Sequence, residues 1–183
     1  MKRIAILILL ALALGGCALW LPTDGAPFVD GAQNVSLELP AGWQRLNSKE
    51  FLFATRDGSE LQSILVERIH ADDDLSQTRK KLARGMLPQE LAEVILDNAR
   101  SNEGVLDLKV LENKPVPFGD TDGFRMLYTY KSEDGLKYKN LYYGCLRGEW
   151  FYGVRYTASQ RHYFERDLPA FEKAVKSFRV LGG

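Results

Sequence analysis

The sequence predicts an α+β domain in which an antiparallel β-sheet is sandwiched between helices, an α/β/α sandwich. Three observations predict it. Period-two stretches recur over 35–39, 61–70, 106–111, 124–130, 138–147 and 150–157. Several of these are apolar on both faces: in 61–70, Ile64 and Val66 point one way and Leu65 and Ile69 the other, so the strand needs cover on both sides. Stretches with apolar residues three and four apart supply helices for that cover.

The chain has 183 residues. Lys2 and Arg3 precede an apolar run from Ile4 to Leu14, too short for the roughly 20 residues of a membrane-spanning helix and patterned as a secretory signal. Leu14-Gly15-Gly16-Cys17 closes it. That motif resembles the bacterial lipobox, which implies cleavage before Cys17 and a diacylglyceryl and palmitate-type anchor on that cysteine. Residues 1–16 are then a signal peptide, 17–34 a lipidated cysteine with a flexible tether, and 35–183 one globular domain. The tether, rich in Gly, Pro and Asp, would reach roughly 23 Å as a coil. Trp20 would sit in the headgroup layer. Ala18 follows the cysteine where inner-membrane retention calls for an acidic residue, so the expected location is the outer membrane, facing the periplasm.

Within the domain, Val35, Leu37 and Leu39 alternate before Pro40-Ala41-Gly42-Trp43; Phe51 to Thr55 is a second strand, Asp57-Gly58 a turn and Leu61 to His70 a central strand. Asp74 with Gln77 predicts the start of a helix carrying Leu75, Thr78, Leu82 and Met86. Pro88 opens another, with Leu91, Val94, Ile95 and Ala99 on one face. A strand from Leu106 is expected to be interrupted at Pro115 and Pro117, and strands through Phe124–Tyr130, Tyr138–Arg147 and Trp150–Thr157 form a meander. The closing helix places Pro169 near its start and buries Leu168, Phe171, Val175 and Phe178.

Composition limits the function classes. Without the signal peptide, 22 basic residues face 24 acidic ones, a charge of −2, which gives no basis for nucleic-acid binding. With Cys17 acylated, Cys145 has no partner, so the domain relies on its core and not on disulfides. His70-Ala71-Asp72-Asp73-Asp74 is the one metal-like cluster and is better read as a turn and a helix cap than as a ligand set. His162 lies among Arg161, Glu165 and Arg166, a helix start rather than a base. No nucleophile elbow, zinc motif or phosphate loop is present, so neither a cofactor nor an enzymatic activity is expected.

The aromatic residues carry the binding expectation. Seven of the eight tyrosines lie between Tyr128 and Tyr156. Tyr128, Tyr130, Tyr138, Tyr142, Trp150 and Tyr152 form a candidate binding face, unless they are cross-strand pairs packing a core. Lys137, Lys139, Arg147 and Arg155 are interleaved and suit an anionic or carbohydrate ligand.

The opening strand with Pro40-Ala41-Gly42-Trp43, the meander, and the closing helix ending Ser177-Phe178-Arg179 together resemble the PsbP-like superfamily from about Val35 to Val180. The resemblance implies the helix-covered antiparallel sheet and a binding role: members include extrinsic subunits and assembly factors of photosystem complexes, and a nuclear-import factor that binds Ran. It supplies no site residue that transfers to this chain. The expectation is a lipid-anchored, non-catalytic accessory factor whose partner is an envelope protein or small ligand. The alternative is an envelope hydrolase acting on cell-wall or lipid material.

Overall fold

The computed structural model describes residues 19–182; the expected signal peptide over 1–16 and the expected lipidation site Cys17 lie outside them. In chain order the elements are β1 (Trp20–Pro22), β2 (Pro27–Asp30), β3 (Val35–Glu38), β4 (Gln44–Leu46), β5 (Leu52–Thr55), β6 (Gln62–His70), α1 (Pro88–Arg100), β7 (Leu106–Phe118), β8 (Thr121–Lys131), β9 (Lys137–Arg147), β10 (Trp150–Ser159), α2 (Tyr163–Ser177) and β11 (Arg179–Val180). Eight strands form one sheet in the order β1-β4-β5-β6-β10-β9-β8-β7, and a small sheet has the order β11-β3-β2. Every strand pair is antiparallel.

The expected helix-sheet-helix sandwich is corrected by this topology. The fold is mostly antiparallel β with two helices among the described residues, and helices do not form the covering layers by themselves. One face of the large sheet packs a core of Ile64, Val66, Val154 and Tyr156 against α2 and the small sheet, through Phe171, Phe178, Val35 and Leu37. The other face packs Phe124, Met126, Tyr142 and Phe151 against α1 and the loop before it, through Leu91, Ile95, Leu75 and Leu82. Apolar residues on both faces of β6 do require two covers, but a second sheet and a loop satisfy that requirement as well as helices do.

The helix expected from Asp74 does not form. Leu75 N–H donates to Lys80 O at 2.8 Å and Arg79 N–H to Leu75 O at 3.0 Å, while Leu82 N–H reaches Ala71 O at 3.1 Å, so the segment is a closed loop. Arg79 sits at φ 58°, a left-handed conformation that ends any helix. The Gln77 and Thr78 amides donate to Asn98 Oδ1 at 2.9 and 3.2 Å. The apolar spacing was set by burial of Leu75 and Leu82, which a loop provides without helical hydrogen bonds.

The tether also differs. β1 pairs with β4 (Trp20↔Leu46, Leu21↔Arg45) and β2 with β3 (Phe28↔Leu37), so the chain is fixed from Leu19, whose carbonyl accepts from Asn47 N–H at 2.8 Å. Pro115 and Pro117 do not interrupt β7. It is the edge strand of the sheet, and an edge strand keeps pairing through proline when the missing N–H faces outward. Pro88 opens α1, and Glu90 Oε2 accepts from Leu87 N–H at 2.9 Å, closing the first turn. Pro169 lies inside α2, not at its start; the Tyr156 hydroxyl donates to the carbonyls of Tyr163 and Phe164 at 2.9 and 3.3 Å and holds the first turn in place.

Candidate functional site

Four adjacent strands build a cleft floor. Register places Tyr128, Asn140 and Thr157 in one row across β8, β9 and β10, and Met126, Tyr142 and Arg155 in the next. The row beyond it runs Phe124, Gly144, Gly153, Glu67. The two glycines leave a trough. A Cβ on Gly153 would lie 2.7 Å from Tyr142 Oη, and one on Gly144 2.7 Å from Phe124 Cζ, so the aromatic rings occupy space that any side chain would fill. Tyr142 crosses this trough and its hydroxyl donates to Glu67 Oε1.

Helix α1 and the 72–78 loop wall the cleft, whose volume is about 550 Å³. Ile95, Asn98 and Ala99 come from α1, Asp73, Asp74 and Gln77 from the loop. At the floor Arg155 lies against the Tyr128 hydroxyl, with the Tyr142 ring centre 5.5 Å from its guanidinium carbon. No carboxylate among the described residues comes within ion-pair distance of Arg155; Glu67 is occupied by Tyr142. Burial works against the Arg155 charge, but Tyr128 and Glu67 outweigh it and keep the guanidinium protonated. Burial, reinforced by the Glu67 charge, pushes the Tyr142 hydroxyl well above its ordinary range, and burial pushes Tyr130 up to about 12. The tyrosines therefore present neutral O–H groups around a fixed cation.

The six aromatic residues singled out in the sequence divide between the two faces. Tyr128, Tyr130, Tyr138 and Tyr142 lie on the α1 face, where Tyr130 stacks on Tyr138 at 5.3 Å. Trp150 and Tyr152 belong to the α2 face, with Arg68 over the Trp150 ring at 3.6 Å. Tyr128, Tyr138, Tyr142 and Tyr152 are buried, and Tyr130 and Trp150 half-buried. They do not make one exposed aromatic face. Of the interleaved cations only Arg155 reaches the cleft; Lys139 pairs with Glu165 at 2.9 Å and Arg147 donates to Val180 O at 3.3 Å.

His70 lies 3.9 Å from Asp72 and 3.6 Å from Glu149, beside Trp150. Among the described residues no group of three His, Cys, Asp or Glu side chains is placed to hold a metal. His162 precedes α2 at φ 73°, away from the cleft. Sequence reading missed Glu67, Asn140 and Gly153; the one available signal was a charged residue inside the apolar run of β6.

The topology defines a PsbP/Mog1-type fold. No protein-family profile matches the chain, and no curated protein matches it. Solved structures do. The solution structure of cyanobacterial PsbP (CyanoP) from Synechocystis sp. PCC 6803 is 12% identical, with TM-score 0.59 over 92% of this chain and 99% of that one. The Ran-binding protein Mog1p of Saccharomyces cerevisiae is 9% identical, with TM-score 0.53 over 87% of this chain and 96% of that one. A Bacteroides thetaiotaomicron VPI-5482 structure is 12% identical, with TM-score 0.54 over 87% of this chain. This chain spans 49% of the Bacteroides one. At these identities the likeness is one of fold.

Proposed function

We propose that the chain is a lipid-anchored bacterial envelope protein acting as a non-catalytic binding or accessory factor, and that its ligand enters the cleft with an acidic group against Arg155. The observation that carries this reading is the guanidinium itself. It sits at the floor of a walled cleft, is kept charged, and has neutral hydroxyls around it and no ion-pair partner among the described residues. A cation partly withdrawn from water, as the half-buried Arg155 is, gains from a direct partner, and an anionic ligand supplies that pair with charge-assisted hydrogen bonds. The Tyr128, Tyr130 and Tyr142 hydroxyls, all pushed upward, are donors rather than bases near neutral pH, which favours binding over proton transfer. That Mog1p, with the same fold, is a Ran-binding protein supports a binding role; the lipobox supports the envelope location.

Native mass spectrometry of the chain purified from envelopes in mild detergent tests the reading. The expected result is a bound small acidic mass on the wild-type protein that is lost in Arg155→Gln and kept in a His70→Ala/His162→Ala double variant. A wild-type protein carrying no such mass, or one whose bound mass is indifferent to Arg155, refutes the assignment of the cleft.

A further inference from the structure

Because pairing begins at β1, the leash between anchor and domain is one residue, Ala18. From Cys17 to Leu19 the chain reaches roughly 7 Å at full extension, against roughly 5 to 8 Å for the headgroup layer on one side of a bilayer. Given the acylated Cys17 of the reading above, on which this rests, the β1 end of the large sheet cannot leave the membrane surface. Which side of that end meets the lipid follows from where apolar groups are left uncovered.

α1 packs on β7, β8 and β9 and leaves the β1-β4-β5 end of its sheet face open. Trp20, Phe51 and Phe53 cluster there, half-buried, with ring centres 6.2 Å apart for Trp20 and Phe53 and 6.5 Å for Phe51 and Phe53. Leu19, next to Trp20 in the chain, is 64% exposed. Over the opposite side of this end lies the small sheet, where Phe28 is covered by the Arg45 guanidinium at 4.3 Å. We infer that Trp20, Phe51 and Phe53 form a membrane-resting face that seats the domain on the phospholipid headgroups next to its own anchor. Indole and phenyl rings are favoured at that depth. The seat is shallow, because β1 is an edge strand whose outward backbone groups cannot be buried in hydrocarbon without partners. It depends little on lipid charge: Lys49 and Glu50 at this corner cancel, and Arg45 lies on the opposite side over Phe28.

The orientation has a functional consequence. The cleft lies on β6, β10, β9 and β8, three to six strands from β1, which at about 4.8 Å per strand holds it roughly 14 to 29 Å across the sheet from the seated edge. The cleft is then presented at a fixed height and not swept about on a long tether.

The test uses the full chain, processed and acylated in cells, in vesicles of phosphatidylethanolamine and phosphatidylglycerol carrying a headgroup nitroxide. An environment-sensitive fluorophore is attached at Gln44→Cys, exposed on β4 on the same face as Leu46, the cross-strand partner of Trp20, or at Val29→Cys, which is on the small sheet of the opposite side and 61% exposed; Cys145 is buried and takes no label. The expected result is strong quenching and a blue shift at position 44, much less at 29, and a fall at 44 towards the level at 29 when Trp20→Ser is added. Equal quenching at the two positions overturns the seat, since a freely pivoting domain gives that result, and it does so whether or not the Trp20 variant folds. A folded Trp20→Ser chain with unchanged quenching also overturns it. The intact mass separates the two readings: acylated Cys17 with equal quenching removes the seat alone, whereas unmodified Cys17 removes the anchor and the seat together.

Discussion

Adding one methyl group at Gly153 should unseat Tyr142 and disconnect Glu67. A Cβ there would lie 2.7 Å from Tyr142 Oη, 2.8 Å from Tyr142 Cε2 and 3.0 Å from Phe151 Cε1, well inside the roughly 3.5–4.0 Å of ordinary carbon contact. Phe151 is fully buried in the α1-side core and has no open space to enter, and Tyr142 can give way only into the cleft, away from Glu67. Overpacking of this kind costs roughly 1 to 3 kcal/mol. Displacing Tyr142 also removes the donor that its hydroxyl gives Glu67, and a hydrogen bond to a charged group contributes roughly 1.5 to 3 kcal/mol. Together Gly153→Ala should cost roughly 3 to 5 kcal/mol in urea unfolding of the chain from Ala18, followed by tryptophan fluorescence. A double-mutant cycle separates the terms. Tyr142→Phe alone should cost roughly 1.5 to 3 kcal/mol, but much less in the Gly153→Ala background, where the bond is already broken, so the pair should fall short of additivity by at least about 1 kcal/mol. Additive losses, or a Gly153→Ala cost below about 0.5 kcal/mol, would refute the account of the trough.

Phe171 is fully buried between α2 and the sheet, so Phe171→Ala should cost roughly 3 to 5 kcal/mol by the same assay; a shift in the surface range would place α2 elsewhere. Burial pushes the Cys145 thiol up to about 12 from its ordinary 9.0. Since the raised pKa favours the neutral thiol in the folded state, its contribution is complete below pH 9 and is lost as pH rises towards 12. Stability should fall in that alkaline window, and a disulfide reagent at pH 8 should modify Cys145 only on unfolding; rapid modification of the native chain contradicts this. Cys17→Ser should abolish acylation by mass and move the protein out of the membrane fraction, and a variant that still sediments with membranes would dismiss the lipobox reading.

Much was legible in the sequence because short-range periodicity reports burial directly. The strands through 62–70, 121–131, 137–147 and 150–159, the helix beginning at Pro88 and the buried Phe171 and Phe178 all follow from it. Periodicity does not say what supplies the cover. Leu75 and Leu82 repeat as a helix would have them, yet a loop closed by Leu75–Lys80 and Ala71–Leu82 hydrogen bonds buries both. The short strands β1, β2, β4 and β11 carry too few residues to show a period, and their pairing is set by partners far along the chain, as when Arg179 and Val180 meet Ser36 and Val35.

The cleft shows the same division. The sequence by itself determined that tyrosines and arginine alternate through the last strands, that Leu14-Gly15-Gly16-Cys17 resembles a lipobox, and that the closing segment carries a core-seeking helix. Only the tertiary structure decided that Tyr128 and Tyr142 face Arg155 while Trp150 and Tyr152 look the other way, because facing depends on register, and a one-residue shift would exchange the two sides of a strand. It alone brought Glu67 opposite Gly153, 86 residues apart in sequence, since cross-strand neighbours are fixed by the whole sheet and not by either strand alone.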